Sequence, residues 1–183
     1  MDLFAQILGV FGLIFNILVF QQKKQNRVLI CQFFAASFFA LNYFLLGAVV
    51  GGLLNLVGVF RSIVFYFEKR TKATGIPWLI FFIIAFASSY PITFFVFDTP
   101  MKIGNFIIEL LPVVAMIIAT VSLRTGSAKA VRYFGLLSSP MWLTYNCFSG
   151  SIGAIASEIL NLISIVIVII RLDIKRNKND TNA

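Results

Sequence analysis

The chain has 183 residues, of which 60% are apolar and 12% charged, and its mean hydropathy is +0.95. A soluble domain is roughly half apolar and about a quarter charged, so this composition excludes a soluble globular enzyme and points to an all-α polytopic membrane protein. There are 15 Lys and Arg against 7 Asp and Glu, and no His, which leaves no imidazole for acid–base work, metal ligation or a pH switch near neutrality.

A membrane-spanning helix needs about 20 mainly apolar residues, and seven stretches qualify. Leu3–Phe20 comes first. No basic residue precedes it and Lys23, Lys24 and Arg27 follow it, the reverse of a cleaved signal peptide, so a retained span is expected. Val28–Gly47 and Val49–Phe67 are joined by almost nothing. A continuous Val28–Phe67 helix is too long for one crossing, and Gly47, Gly51 and Gly52 offer places to turn. A loop with Lys69, Arg70 and Lys72 leads to Pro77–Phe97. There Pro77 suits the first helical turn, and Pro91 is expected to kink or break the helix beyond Tyr90. Gly104–Leu123, Ala130–Phe148 and Ile152–Leu172 complete the set, the last two meeting at a tight joint around Gly150–Ser151. The polar stretch Ile174–Ala183 is expected to be disordered. Cys31 and Cys147 both lie in apolar runs and form neither a disulfide framework nor a thiolate metal site. No cofactor is implied.

All basic residues except Arg61 and Lys102 fall in every second connection, beginning with the first, or in the tail. Positive residues mark the cytoplasmic side, so the N-terminus is expected outside and the C-terminus in the cytoplasm. The positive charge then serves topology and attraction to anionic lipid. A nucleic-acid partner would need a basic face on a soluble domain, and the sequence has none.

Shifting the chain by 103 positions lays the first three spans on the last three without a gap. Gly47 falls on Gly150, Gln6 on Glu109, Leu8 on Leu111, Phe39 on Trp142 and Asn55 on Glu158, and the basic loops coincide. Both triplets start outside and end inside, so they are parallel repeats and an odd helix must link them, a layout known among transporters. The expected organisation is a first repeat at 1–67, a linker helix with its loops at 68–103, a second repeat at 104–172 and a cytoplasmic tail at 173–183.

Arg61, Glu109 and Glu158 stand inside spans. Such groups cost about 2.5–3.5 kcal/mol each at mid-helix and usually face protein or water. Either a structural charge pair or a functional site accounts for them. Helical rise places Asn55 and Glu158 about 9 Å below the outer start of their spans. Asn42, Tyr145 and Asn146 reach a similar level, with Trp142 a little deeper. Pro112 and Pro140, at matched depth, are hinge candidates or static kinks.

The stretches Asn42–Gly47, Glu109–Val113 and Gly150–Gly153 together with Glu158 resemble the YgjV-type bacterial inner-membrane proteins, over nearly the whole chain. The resemblance implies a bacterial cytoplasmic membrane protein and carries no established activity. More distantly, the layout resembles the SWEET, SemiSWEET and PQ-loop transporters. Trp142 and Tyr145 match their Trp-x-x-Tyr, and Glu158 stands where those carriers place a pocket Asn. Phe20-Gln21-Gln22 replaces their Pro-Gln, and this, with the Glu, weighs against a neutral sugar. The resemblance implies a carrier for a small polar solute. Trp142 and Phe39 would stack on the solute, and Asn55, Glu158, Asn42, Tyr145 and Asn146 would surround it. Arg61, Glu109 and Glu158 would bind charge or couple a proton. The alternative is a non-transporting bundle that binds lipid or a protein partner. An intramembrane enzyme ranks last, since Asp2, Asp98, Asp173 and Asp180 all lie outside the span interiors.

Overall fold

A computed structural model describes residues 3–96 and 103–174. Helices account for nearly all of them: α1 (Leu3–Gln21), α2 (Gln25–Leu45), α3 (Val49–Tyr66), a single turn α4 (Glu68–Thr71), α5 (Ile76–Val96), α6 (Ile103–Arg124), α7 (Ala128–Ser149) and α8 (Ile152–Val168), which widens into a π turn over Ile169–Ile174. No strand occurs among the described residues. In hydrocarbon every backbone N–H and C=O must be paired internally, and a helix does so within one segment.

Among the described residues, six helices are long and apolar enough to cross a membrane: α1, α2, α3, α5, α6 and α8. Helix α7 has the length, at 22 residues, but carries Lys129, Arg132, Ser138, Ser139, Thr144 and Asn146. Of these, Arg132, Ser139 and Asn146 are buried, so α7 turns much of its polarity toward other helices. Helix α8 shows the same inverted amphipathicity. Ser157, Glu158, Asn161 and Ser164 are buried, while Ile159, Leu160, Ile163, Val166 and Ile167 face outward. Large outward-facing apolar surface of this kind would be untenable in water and is ordinary against lipid.

The packing runs α1 on α2 and α2 on α3, then α6 on α7 and α7 on α8. The two sets meet where α1 lies on α8 and α3 on α6, with α5 against α3 and α6. Shifted by 103 positions, the α1–α2, α2–α3 and α1–α8 contacts correspond to α6–α7, α7–α8 and α3–α6, whereas those of α5 have no counterpart. At the α1–α8 crossing, Gly9 and Gly153 bring two backbones together: a Cβ on Gly153 would lie 3.2 Å from the Gly9 carbonyl carbon. Helix α5 is held to α3 by aromatic contacts. Phe82 is fully buried, 6.1 Å from Phe60 and 6.1 Å from Phe65, ring centre to ring centre.

The tight joints fall where expected, with Gly47 at φ 73° and Gly150 at φ 69°. That left-handed conformation is strained for a residue with a Cβ. Three details differ from the sequence reading. Helix α2 begins at Gln25 rather than Val28: the Arg27 and Val28 N–H groups donate to the Lys24 carbonyl, and the Gln25 side-chain amide is held by the Leu123 carbonyl at 3.2 Å. The turn α4 follows α3 and is closed by Lys72 at φ 54°, with the Thr71 hydroxyl donating to the Val64 carbonyl at 2.8 Å. Helix α5 continues through Pro91 to Val96 instead of breaking. Hydroxyls within the same turns, Ser89 to the Ala85 carbonyl and Thr93 to the Ser89 carbonyl, supply local hydrogen bonds of the kind that tolerate a proline in a span. Pro112 and Pro140 likewise stand inside unbroken helices. The expected disordered tail, from residue 175, lies outside the described residues.

Candidate functional site

Six helices surround one polar cavity of about 120 Å³. From α2 come Gln32, Ala35, Ala36, Phe39 and Tyr43, one face at i, i+3, i+4, i+7 and i+11. From α3 come Asn55, Gly58, Arg61 and Ser62, and from α8 Ala154, Glu158 and Asn161, again each on one stripe. Ser138, Ser139 and Trp142 line it from α7, Met116 and Ala119 from α6, and Asn16, Val19 and Phe20 from α1. Small residues on these stripes give room. A Cβ at Gly58 would sit 2.9 Å from the Met116 methyl.

Two oppositely ionisable side chains enter this space. Arg61 is buried, and its Nη1 donates to the Met116 carbonyl at 3.2 Å and the Thr120 hydroxyl at 2.9 Å. Its guanidinium carbon lies 5.7 Å from the centre of the Phe86 ring. Glu158 is buried as well; it takes a hydrogen bond from Ser139 and a long one, 3.5 Å, from the Asn161 amide. Among the described residues no ion pair joins Arg61 to Glu158 or Glu109, because the guanidinium is anchored on α6. Three buried polar atoms of the lining have no hydrogen-bond partner: Gln32 Oε1, Arg61 Nε and Asn161 Oδ1. Orphaned buried polar groups are rare in native proteins and ask for an explanation.

One end of the cavity is closed by an aromatic and amide cluster near the Gly47 and Gly150 turns. The Tyr43 hydroxyl donates to Asn146 Oδ1 at 2.6 Å, and the Gly51 N–H donates to the Tyr145 hydroxyl at 3.0 Å. Asn42 donates to the Ala5 carbonyl at 2.7 Å and accepts from Ser151 at 3.0 Å. The Tyr43 ring stacks on Trp142 at 6.2 Å and meets Tyr145 edge-on at 6.1 Å. Tyr43 and Trp142 belong to both cluster and cavity, so they form the end wall.

The structure therefore divides the expected site residues. Asn55, Glu158, Trp142, Phe39 and Arg61 come together at the cavity. Asn42, Tyr145 and Asn146 are spent on the closing cluster, bonded to Ala5 and Ser151, to Gly51 and to Tyr43 respectively. Glu109 stands apart near Tyr90 and Tyr145, half-buried, its Oε2 unpartnered. Asn16, Gln32, Ser62, Ser138 and Ser139 were missed. The signal that finds them is the helical stripe: Gln32 lies seven positions before Phe39, Ser139 three before Trp142, and Ser62 seven after Asn55. Among the described residues no His, Cys, Asp or Glu cluster could hold a metal ion.

No curated protein and no solved structure matches the chain. The model of one family, Imp-YgjV, described as bacterial inner membrane protein, matches residues 3–176. With its apolar helices, the chain is an integral membrane protein and belongs to the Imp-YgjV family of bacterial inner membrane proteins.

Proposed function

We propose that this protein is a carrier for a small polar solute, in which two parallel three-helix units, 1–67 and 104–172, rock against each other about the central cavity. Helix α7 is then a seventh span, α5 links the units, and the N-terminus lies outside with the C-terminus in the cytoplasm. The single observation that carries this reading is the cavity: both triplets line it, and three of its lining residues, Gln32, Arg61 and Asn161, each carry a buried polar atom without a partner. A bundle that served only as scaffold gains nothing from orphaned polar groups in low dielectric, where each costs about 1–3 kcal/mol. The recurrence of helix contacts under the offset of 103 supports the paired units. The Tyr43–Asn146 cluster would be the closed gate on the outer side, which separates when the units rock. The reading needs no catalytic residue.

Accessibility from both sides tests it. In a chain with Cys31 and Cys147 replaced by Ala, Ser139→Cys and Asn161→Cys are expected to react with a membrane-impermeant thiol reagent from either face of the membrane. A cavity that stays unreactive from both faces overturns the carrier reading and leaves a non-transporting bundle.

A further inference from the structure

The cavity is lined by one basic and one acidic side chain, Arg61 and Glu158, that form no ion pair with each other. Arg61 and Glu158 are the charged side chains among its described lining residues, yet each is bonded elsewhere. Arg61 Nη1 is fixed to α6 by Thr120 and the Met116 carbonyl, while its Nε edge is buried and unpaired. Glu158 is steadied by Ser139 and Asn161. Two opposite charges held apart in one small space present a dipole to a ligand.

We propose that the solute is a small zwitterion, with a carboxylate bound by Arg61 and an ammonium bound by Glu158; this rests on the carrier reading above. The chemistry at each pole fits. A guanidinium binds carboxylate through parallel N–H groups. Anchoring Nη1 orients the fork before the ligand arrives, which lowers the ordering entropy of binding. At the other pole Glu158 lines the same cavity as the aromatic side chains Phe39, Tyr43 and Trp142. Trp142 is one turn from Ser139 on α7, and Tyr43 lies within electrostatic reach of Glu158. A carboxylate with aromatic rings around it suits an alkylammonium group, through charge and cation–π attraction together. The lining is neutral overall, so a simple anion drawn by Arg61 meets Glu158, and a simple cation drawn by Glu158 meets Arg61. Only a solute carrying both charges satisfies both.

Size narrows the class. A cavity of about 120 Å³ is several times the room one water needs, on the order of 10–15 Å³, which suits a small solute. A small α-amino acid or a betaine fits, and a disaccharide does not.

The experiment is uptake into vesicles holding the purified full-length protein. The labelled probes are glycine, L-alanine, L-proline and glycine betaine, against alaninamide, propionate, glycerol and D-glucose. At least one zwitterion is expected to enter faster than every singly charged or neutral probe, by about tenfold or more. The variants give a readout that misfolding cannot imitate. Arg61→Gln is expected to lose zwitterion uptake and shift preference to alaninamide; Glu158→Gln is expected to shift it to propionate. Each variant is first shown to run as a single species in detergent. Uptake of glucose or glycerol in preference to all zwitterions overturns the zwitterion class and leaves the carrier reading standing. No uptake of any probe by well-folded wild-type protein overturns both.

Discussion

Tyr43 and Asn146 stand 103 positions apart and touch, the tyrosine hydroxyl donating to the amide oxygen at 2.6 Å. That separation is the same offset that lays the first three helices on the last three. Positions related by a two-fold axis can meet each other only on the axis itself. If the triplets are repeats, this contact marks the axis, and it lies at the wall of the cavity. Breaking it therefore separates stability from motion. Tyr43→Phe and Asn146→Leu are each expected to destabilise by about 1–3 kcal/mol, since each orphans a buried partner. The double variant should cost less than the sum, with a coupling of about 1 kcal/mol. Unfolding by denaturant in mixed micelles measures all three, and additive costs would show that the bond contributes nothing.

Arg61 is expected to behave oppositely in stability and in function. Arg61→Met fills similar volume, and Thr120 keeps its own bond to the Met116 carbonyl at 2.8 Å, so no donor on that hydroxyl is stranded. Replacing a buried charge with a packed apolar side chain is often neutral or stabilising. Stability should change by less than about 1 kcal/mol or rise, while solute flux falls to background. A loss of several kcal/mol with flux retained would make Arg61 structural.

The Gly9–Gly153 crossing is a steric prediction. A Cβ on Gly153 meets Gly9 backbone at 3.2 Å, and backbone cannot rotate away as a side chain can. Gly153→Val is expected to destabilise by about 1–3 kcal/mol through overpacking. Ile152→Val, at a neighbouring outward-facing position, should change little. Equal effects of the two variants in the same unfolding assay would mean that α1 and α8 do not approach this closely.

Topology is checked by reporter fusions truncated after Lys72, Gly126 and Gly150. The positive-inside pattern expects the first two in the cytoplasm and the third outside. This also decides α7, whose polarity keeps it from qualifying as a span on composition alone. A cytoplasmic signal after Gly150 would remove α7 from the spans and with it the paired triplets.

The sequence by itself determined the membrane, the helices and where they turn. These follow from local properties: run length against bilayer thickness, the alternation of basic loops, and glycines at Gly47 and Gly150 that adopt left-handed turns. Bilayer physics makes such signals strong, because an apolar run of that length has few alternatives. At Pro91 the break offered as one alternative to a kink does not occur, for a related reason. A proline breaks a helix in water, whereas in a span the absence of competing water and the nearby hydroxyls of Ser89 and Thr93 let α5 continue.

What only the tertiary structure decided was which polar residues share a space. For Asn42, Tyr145 and Asn146 an expected level similar to that of Asn55 and Glu158 was legible from helical rise. The azimuth of each helix was not, because it depends on how six helices pack at once. That packing turned Asn42, Tyr145 and Asn146 into the closing cluster and sent Gln32, Ser139 and Asn161 into the cavity. It also anchored Arg61 on Thr120, so a pair of charges that proximity in depth would have joined is held apart. A helix presents a stripe as soon as its sequence is written, but which stripes meet is settled by close packing between helices far apart in the chain.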